Sequence, residues 1–315
     1  MLNRRHLRIK VLQVLYAYFQ TEDKDALQVK KELWRSIDKM YELYIYFALI
    51  YVELKAHAEK RLEGKKDKLR PTEEDLNPNR KFVDNGIFVK LEESKALRRV
   101  SEDLKVNWLG AVKQDLIRKL FLQIEKSQVY QEYMNDEAND FETQKKFAVD
   151  LLKEEIAQFE LLHDFLENES IYWLDDIDLV CAMLIKNVKQ TKEGEDFQLM
   201  TLFKDEEEEE EFANTLVYQT IKREEENSQL IDRLTKNWDL DRIAKMDFIL
   251  LKLAITELLE NKNIPVKVTL NEYIEISKFY STPKSQQFIN GILDKAVIIL
   301  KEEGKLVKTG RGLMQ

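Results

Sequence analysis

From Lys30 to Glu63 the chain reads KKELWRSIDKMYELYIYFALIYVELKAHAEKRLE, with neither glycine nor proline. Apolar residues recur at Leu33, Ile37, Met40, Tyr44, Phe47, Tyr51 and Leu54. Spacings of three and four place these side chains on one face of a single long helix, and nothing inside the stretch frees or locks the backbone to interrupt it. The aromatic members of the stripe suit core packing; a platform on which bases stack is the alternative for the same residues. Punctuation is scarce along the whole chain, which has 8 glycines and 4 prolines in 315 residues. That is too few for the many turns of a sandwich or barrel, so the sequence predicts an all-α protein.

No apolar run approaches the roughly 20 residues of a membrane span, and the basic N-terminus leads into an amphipathic pattern. A cytoplasmic protein is expected. Cys181, the one cysteine, lies in IDLVCAMLI, where it reads as a small buried hydrophobe. His6, His57 and His163 fall in separate segments with no zinc spacing, so neither a metal site nor a cofactor is expected. The chain has no GxxxxGK[ST], no GxGxxG and no GxSxG, and its many carboxylates mark exposed faces, so an enzyme is not expected.

The formal charge of -9 argues against a surface that binds nucleic acid all over. Its distribution is uneven. Arg4, Arg5, Arg8 and Lys10 precede the first acid, Glu22, whereas seven consecutive acids occupy 205 to 211. These acids read as the solvated start of a helix, whose positive dipole end they suit; a wall repelling RNA is the other reading. RRHLRIKVLQVLYAYFQ, 4 to 20, is an amphipathic helix with a basic beginning, and LRPTEEDLNPNRKFVDNG looks like a long connection. Helical patterns follow at 91–109, 111–135, 142–167, 171–190, 208–236, 239–261, 266–280 and 284–302. The division expected is a helical region 1–200, a helical core 201–303 and a flexible basic tail 304–315.

Within STPKSQQFINGILDK, 281 to 295, Asn290-Gly291 is a hairpin dipeptide, yet Phe288, Ile289, Ile292, Leu293, Ala296 and Val297 trace one helical face straight through it. A helix is expected, with Thr282 as N-cap and Pro283 at its first position. Gly291 is then expected to permit close packing of another helix, with Asn290 tied to a neighbouring backbone group.

The motifs WDLDRI, ILLKLAITEL, IP, NEYIEISK and FINGILDK, in that order, together with the opening RRHLRIKVLQVLYAY, resemble the NusB family of transcription antitermination factors. About 120 residues carry the likeness, 4–20 and about 204–302; the region 21–200 is longer than the family usually has there. The resemblance implies a NusB-like helical bundle with an additional helical region, the first helix belonging with the C-terminal core. It also implies binding of boxA-type single-stranded RNA from ribosomal RNA transcripts, together with the small-subunit ribosomal protein NusE, inside an RNA polymerase antitermination complex. By position, the RNA-binding residues so implied are Arg4, Arg5, Arg8, Tyr280, Lys284, Ser285, Gln287 and Phe288, with Tyr16 meeting NusE. Lys284 behind Pro283, and His6 where the family commonly has arginine, depart from the pattern. An alternative keeps the fold and makes 21–200 the main partner surface. A fused RNA methyltransferase lacks its Gly-rich nucleotide-binding loop here.

Overall fold

The computed structural model describes residues 2–22, 25–235 and 244–310. Among them every regular element is helical. WDLDRI, 238 to 243, lies outside the described residues, as does the end of the tail from 311. The chain divides into two compact units: Met1–Ile37 with Leu202–Gln315, and Asp38–Thr201.

The first unit holds α1 (Arg4–Gln20), the opening turns of α2 (Ala26–Lys66), α11 (Glu206–Lys222), α12 (Glu224–Leu234), α13 (Lys245–Glu260), α14 (Val266–Tyr280) and α15 (Ser285–Glu302). At its centre is α13, which packs against α1, α11, α12, α14 and α15. Its sequence explains the position, because ILLKLAITELL leaves almost no polar face and a helix apolar all round must be surrounded. Trp34 joins the head of α2 to this unit by donating from Nε1 to Asn214 at 2.9 Å.

The second unit contains the rest of α2 and α3 (Glu73–Leu76), α4 (Gly86–Glu93), α5 (Lys95–Leu104), α6 (Ala111–Ile124), α7 (Gln128–Asn135), α8 (Phe141–Leu151), α9 (Glu160–Glu169) and α10 (Ile177–Gln190). Tyr44, Phe47 and Tyr51 of α2 are at most 1% exposed, so the aromatic stripe is core. Burial leaves the Tyr51 hydroxyl one partner, the Ala148 carbonyl at 2.6 Å. Several expected helices are broken by short local turns. The 142–167 pattern contains a π turn, Leu152–Ile156, in which Ala157 N–H reaches back to the Leu152 carbonyl at 2.8 Å. Ser94 ends α4 and caps α5, accepting from Leu97 N–H at 3.2 Å. Cys181 is buried, and burial pushes its thiol up to about 12, the state of an inert packing residue.

The helix α15 does run through Asn290-Gly291. It begins at Ser285 rather than after Thr282: Ser285 N–H donates to the Thr282 carbonyl, and Thr282 N–H to Ser285 Oγ at 3.2 Å. The Thr282 hydroxyl meets Ser285 Oγ at 2.8 Å instead of a backbone amide. The close-packing explanation of Gly291 is corrected, because a Cβ there would meet nothing within 4 Å. Nor does Asn290 tie a backbone group; its Nδ2 donates along the same exposed helix face to Asp294 Oδ2 at 3.3 Å. Gly291→Ala should therefore stabilise the protein by about 0.5–1 kcal/mol, through lower unfolded-state entropy and better helix propensity. A rise in melting temperature checks this, and a fall would show that the glycine is needed for its backbone.

Candidate nucleic-acid interface

The basic beginning of α1 is set by a reciprocal cap. Asn3 Oδ1 accepts from His6 N–H at 3.1 Å, and His6 Nδ1 accepts from Asn3 N–H at 3.2 Å. Burial, with positive charge including that of Arg5 nearby, lowers the His6 imidazole to about 4. It is thus neutral at physiological pH, and its Nδ1 acts as an acceptor. His6 supplies no cation to this surface.

The three arginines have different fates. Arg8 points inward: Nε donates to Glu257 Oε2 and Nη2 to Oε1, both at 2.7 Å, with the two side chains 3% and 0% exposed. Glu257 also accepts from Thr269 Oγ1 at 2.8 Å and Tyr273 hydroxyl at 3.0 Å. Burial alone would lower the Arg8 pKa, but the hydrogen bonds and charge of Glu257 hold it above its ordinary value. The expectation that Arg8 contacts phosphate is corrected, since its Nε and Nη2 are used by Glu257 and its side chain is 3% exposed. Arg5 pairs with Glu272 of α14 at 2.7 and 2.8 Å while its side chain stays 45% exposed. Arg4 pairs with Glu208 of the acid run and lies over the Phe212 ring, 5.3 Å from its centroid. That run starts α11, where Asp205 accepts from Glu208 N–H at 3.1 Å, so it is the capped helix start expected of it. The arginines line a cleft of about 600 Å³ with Asn3, Glu272 and the Asn263–Pro265 turn.

Between α14 and α15 the loop is braced from beneath. Asp247, buried at the start of α13, accepts from the hydroxyls of Ser281 at 2.5 Å and Ser285 at 2.7 Å. Ser285 is 2% exposed and Phe288 8%, so both face inward and cannot present themselves to RNA as expected. Lys284 and Gln287 remain exposed, and Tyr280 is half-buried. The residue missed by sequence reading is Phe279, 81% exposed. A signal was present: Tyr273, Ile276 and Ser277 form the inner face of α14, and Phe279 falls off it at 100° per residue. Seven residues separate it from Glu272, which is two turns, or about 10 Å along the same face. Arg5, held by Glu272, and Phe279 therefore stand on one side of α14. This puts cationic and stacking groups together, the pairing that single-stranded nucleic acid requires.

The NusB family profile matches residues 177–297. The transcription antitermination protein NusB of Geobacter sulfurreducens is 40% identical over 93 residues, which are 30% of this chain and 67% of that one. The chain belongs to the NusB family. NusB of Salinibacter ruber is 45% identical over 104 residues, 33% of this chain and 65% of its own length. For NusB of Chloroherpeton thalassium the identity is 42% over 106 residues, 32% of this chain and 50% of that protein. The chain thus spans half to two thirds of these NusB relatives. A solved structure of T. maritima NusB is 27% identical, covering 49% of this chain and 89% of its own at a TM-score of 0.28. The family-matched segment includes α13, α14 and α15 as far as Val297, and hence Asp247, Glu257, Phe279 and the braced loop. No helix among the described residues is long and apolar enough to cross a membrane.

Proposed function

We propose that this protein is a non-enzymatic transcription antitermination factor that binds boxA-type single-stranded RNA of ribosomal RNA transcripts jointly with NusE, as part of an RNA polymerase antitermination complex. The observation that carries the reading is the surface on α14 and its loop, where exposed Phe279 and Lys284 follow the Glu272 that holds Arg5. Curated relatives named as transcription antitermination proteins support it. Charge explains why a partner is required. Outside Asp38–Thr201 the chain has 25 Lys and Arg against 25 Asp and Glu, and both outer arginines are already paired with glutamate. Few phosphate contacts can form, so the subunit alone has low RNA affinity and a basic protein sharing the RNA supplies the rest.

Tyr16, in the last turns of α1, is 38% exposed beside exposed Ala17 and Gln20, a geometry suited to an aromatic anchor for NusE. Tyr16→Ala should weaken NusE binding by at least about 2 kcal/mol without loss of helicity. Calorimetric titration of NusE into both proteins, followed by RNA binding at two NusE concentrations, tests the function. Equal NusE affinities would make Tyr16 ordinary packing. Wild type that binds neither NusE nor boxA-type RNA would overturn the proposed function.

A further inference from the structure

The entire net charge of the chain resides in the unit Asp38–Thr201, with 25 Lys and Arg against 34 Asp and Glu. One corner of that unit concentrates it. From Glu154 to Ile185 there are nine acids and no Lys or Arg. Seven of these acids are exposed, and Glu160, Asp164, Glu167, Glu169 and Asp178 within that set have no ion-pair partner among the described residues.

The same corner is apolar. Trp108 and Trp173 pack on Tyr46 with ring centroids 5.5 and 5.3 Å away, and Phe165 packs on Trp108 at 5.6 Å. Both indoles are buried and hydrogen-bonded, to the carbonyls of Tyr46 and Lys39, so the cluster is rigid. Its chain neighbours face water: Leu109 is 72% exposed, Val112 75%, Ile171 83%, and Leu161 and Leu174 each 43%. Single exposed apolar residues are ordinary, but five that each lie within about one helical turn along the chain of a ring in one aromatic cluster mark a surface of the kind that binds protein. Lys113, the cation on this cluster, is held by the Tyr46 hydroxyl at 3.0 Å and the Asn107 carbonyl at 2.9 Å.

We propose that this corner is a docking surface for a basic, amphipathic protein segment, whose apolar face covers Leu161, Ile171 and Leu174 while its Lys and Arg side chains meet the acids around them. Charge complementarity selects this occupant. An apolar surface ringed by uncompensated carboxylates repels RNA and attracts cationic protein, whose approach it also accelerates.

The test uses the full chain and a fluorescein-labelled helical peptide of leucine and lysine, with the leucines on one face, followed by anisotropy. The wild type should bind it saturably and more weakly as salt rises. Ile171→Asp and Leu161→Asp should each weaken binding about tenfold or more, and Asp164→Lys with Glu167→Lys should weaken it and flatten the salt dependence. All four sites are exposed, so unchanged circular dichroism is expected. The same peptide with glutamate for lysine should not bind. Failure of the wild type to bind, equal binding of the glutamate peptide, unchanged affinity of Ile171→Asp, or displacement of the peptide by a single-stranded RNA oligonucleotide would each overturn the proposal. None of these readouts depends on antitermination.

Discussion

Truncating Arg8 to alanine should destabilise the protein by about 3–5 kcal/mol, because it leaves the Glu257 carboxylate buried without its countercharge. Two of the four hydrogen bonds to that carboxylate come from Arg8, and the hydroxyls of Thr269 and Tyr273 supply the others. Neither neutral donor can balance a charge in a site 0% exposed. Arg5→Ala is the matching control. It removes an equally bidentate pair on the next turn but one side chain is 45% exposed, so the loss should not exceed about 1 kcal/mol. Urea unfolding of the two variants, with the slope held in common, separates them. Near-equal losses would mean that Glu257 gains water when Arg8 is gone, and that α1 is not locked to α13 by this pair.

A second contrast sets Phe279 against Phe288, two phenylalanines that flank the loop and differ in everything but type. Phe279→Ala should lower affinity for boxA-type RNA by about 1–3 kcal/mol, the range for one base stacked on an aromatic ring. Its stability should stay within about 0.5 kcal/mol of the parent, since the ring is 81% exposed. Phe288→Ala should do the reverse, costing about 3–5 kcal/mol of stability because it empties a packed site. RNA titrations in the presence of NusE and thermal melts give both quantities. An unchanged RNA affinity for Phe279→Ala would remove this face of α14 from the proposed interface.

Much of the helical layout was legible because it depends on neighbours in sequence. Apolar spacing alone located α1, α2, α14 and α15, and the family motifs pointed to the family whose profile matches 177–297. The breaks were less legible. Ser94 ends one helix and starts another with a single side-chain bond, and the turn at Leu152–Ile156 adds one residue to the helical ring without any glycine or proline. Neither disturbs the apolar period enough to announce itself. The candidate site was half legible. Arg5, Lys284 and Gln287 are exposed, as the RNA contact proposed for them needs, whereas Arg8, Ser285 and Phe288 face inward and the exposed Phe279 was overlooked beside Tyr280.

By itself the sequence determined that this chain is helical, which residues can share a helix face, and to which family its C-terminal segment belongs, since all three follow from local spacing and residue order. It could also have flagged Glu257, a lone carboxylate in the apolar run ILLKLAITELL that needs a buried partner. Only tertiary structure decided which of three arginines, chemically identical and four residues apart at most, would be that partner. Arg8 and Glu257 are 249 residues apart in sequence, and their pairing follows from the packing of α1 against α13. Exposure was settled in the same way. A helix pattern orders its faces relative to one another, but which face meets water depends on which neighbours arrive, and burial energy is realised only when they do.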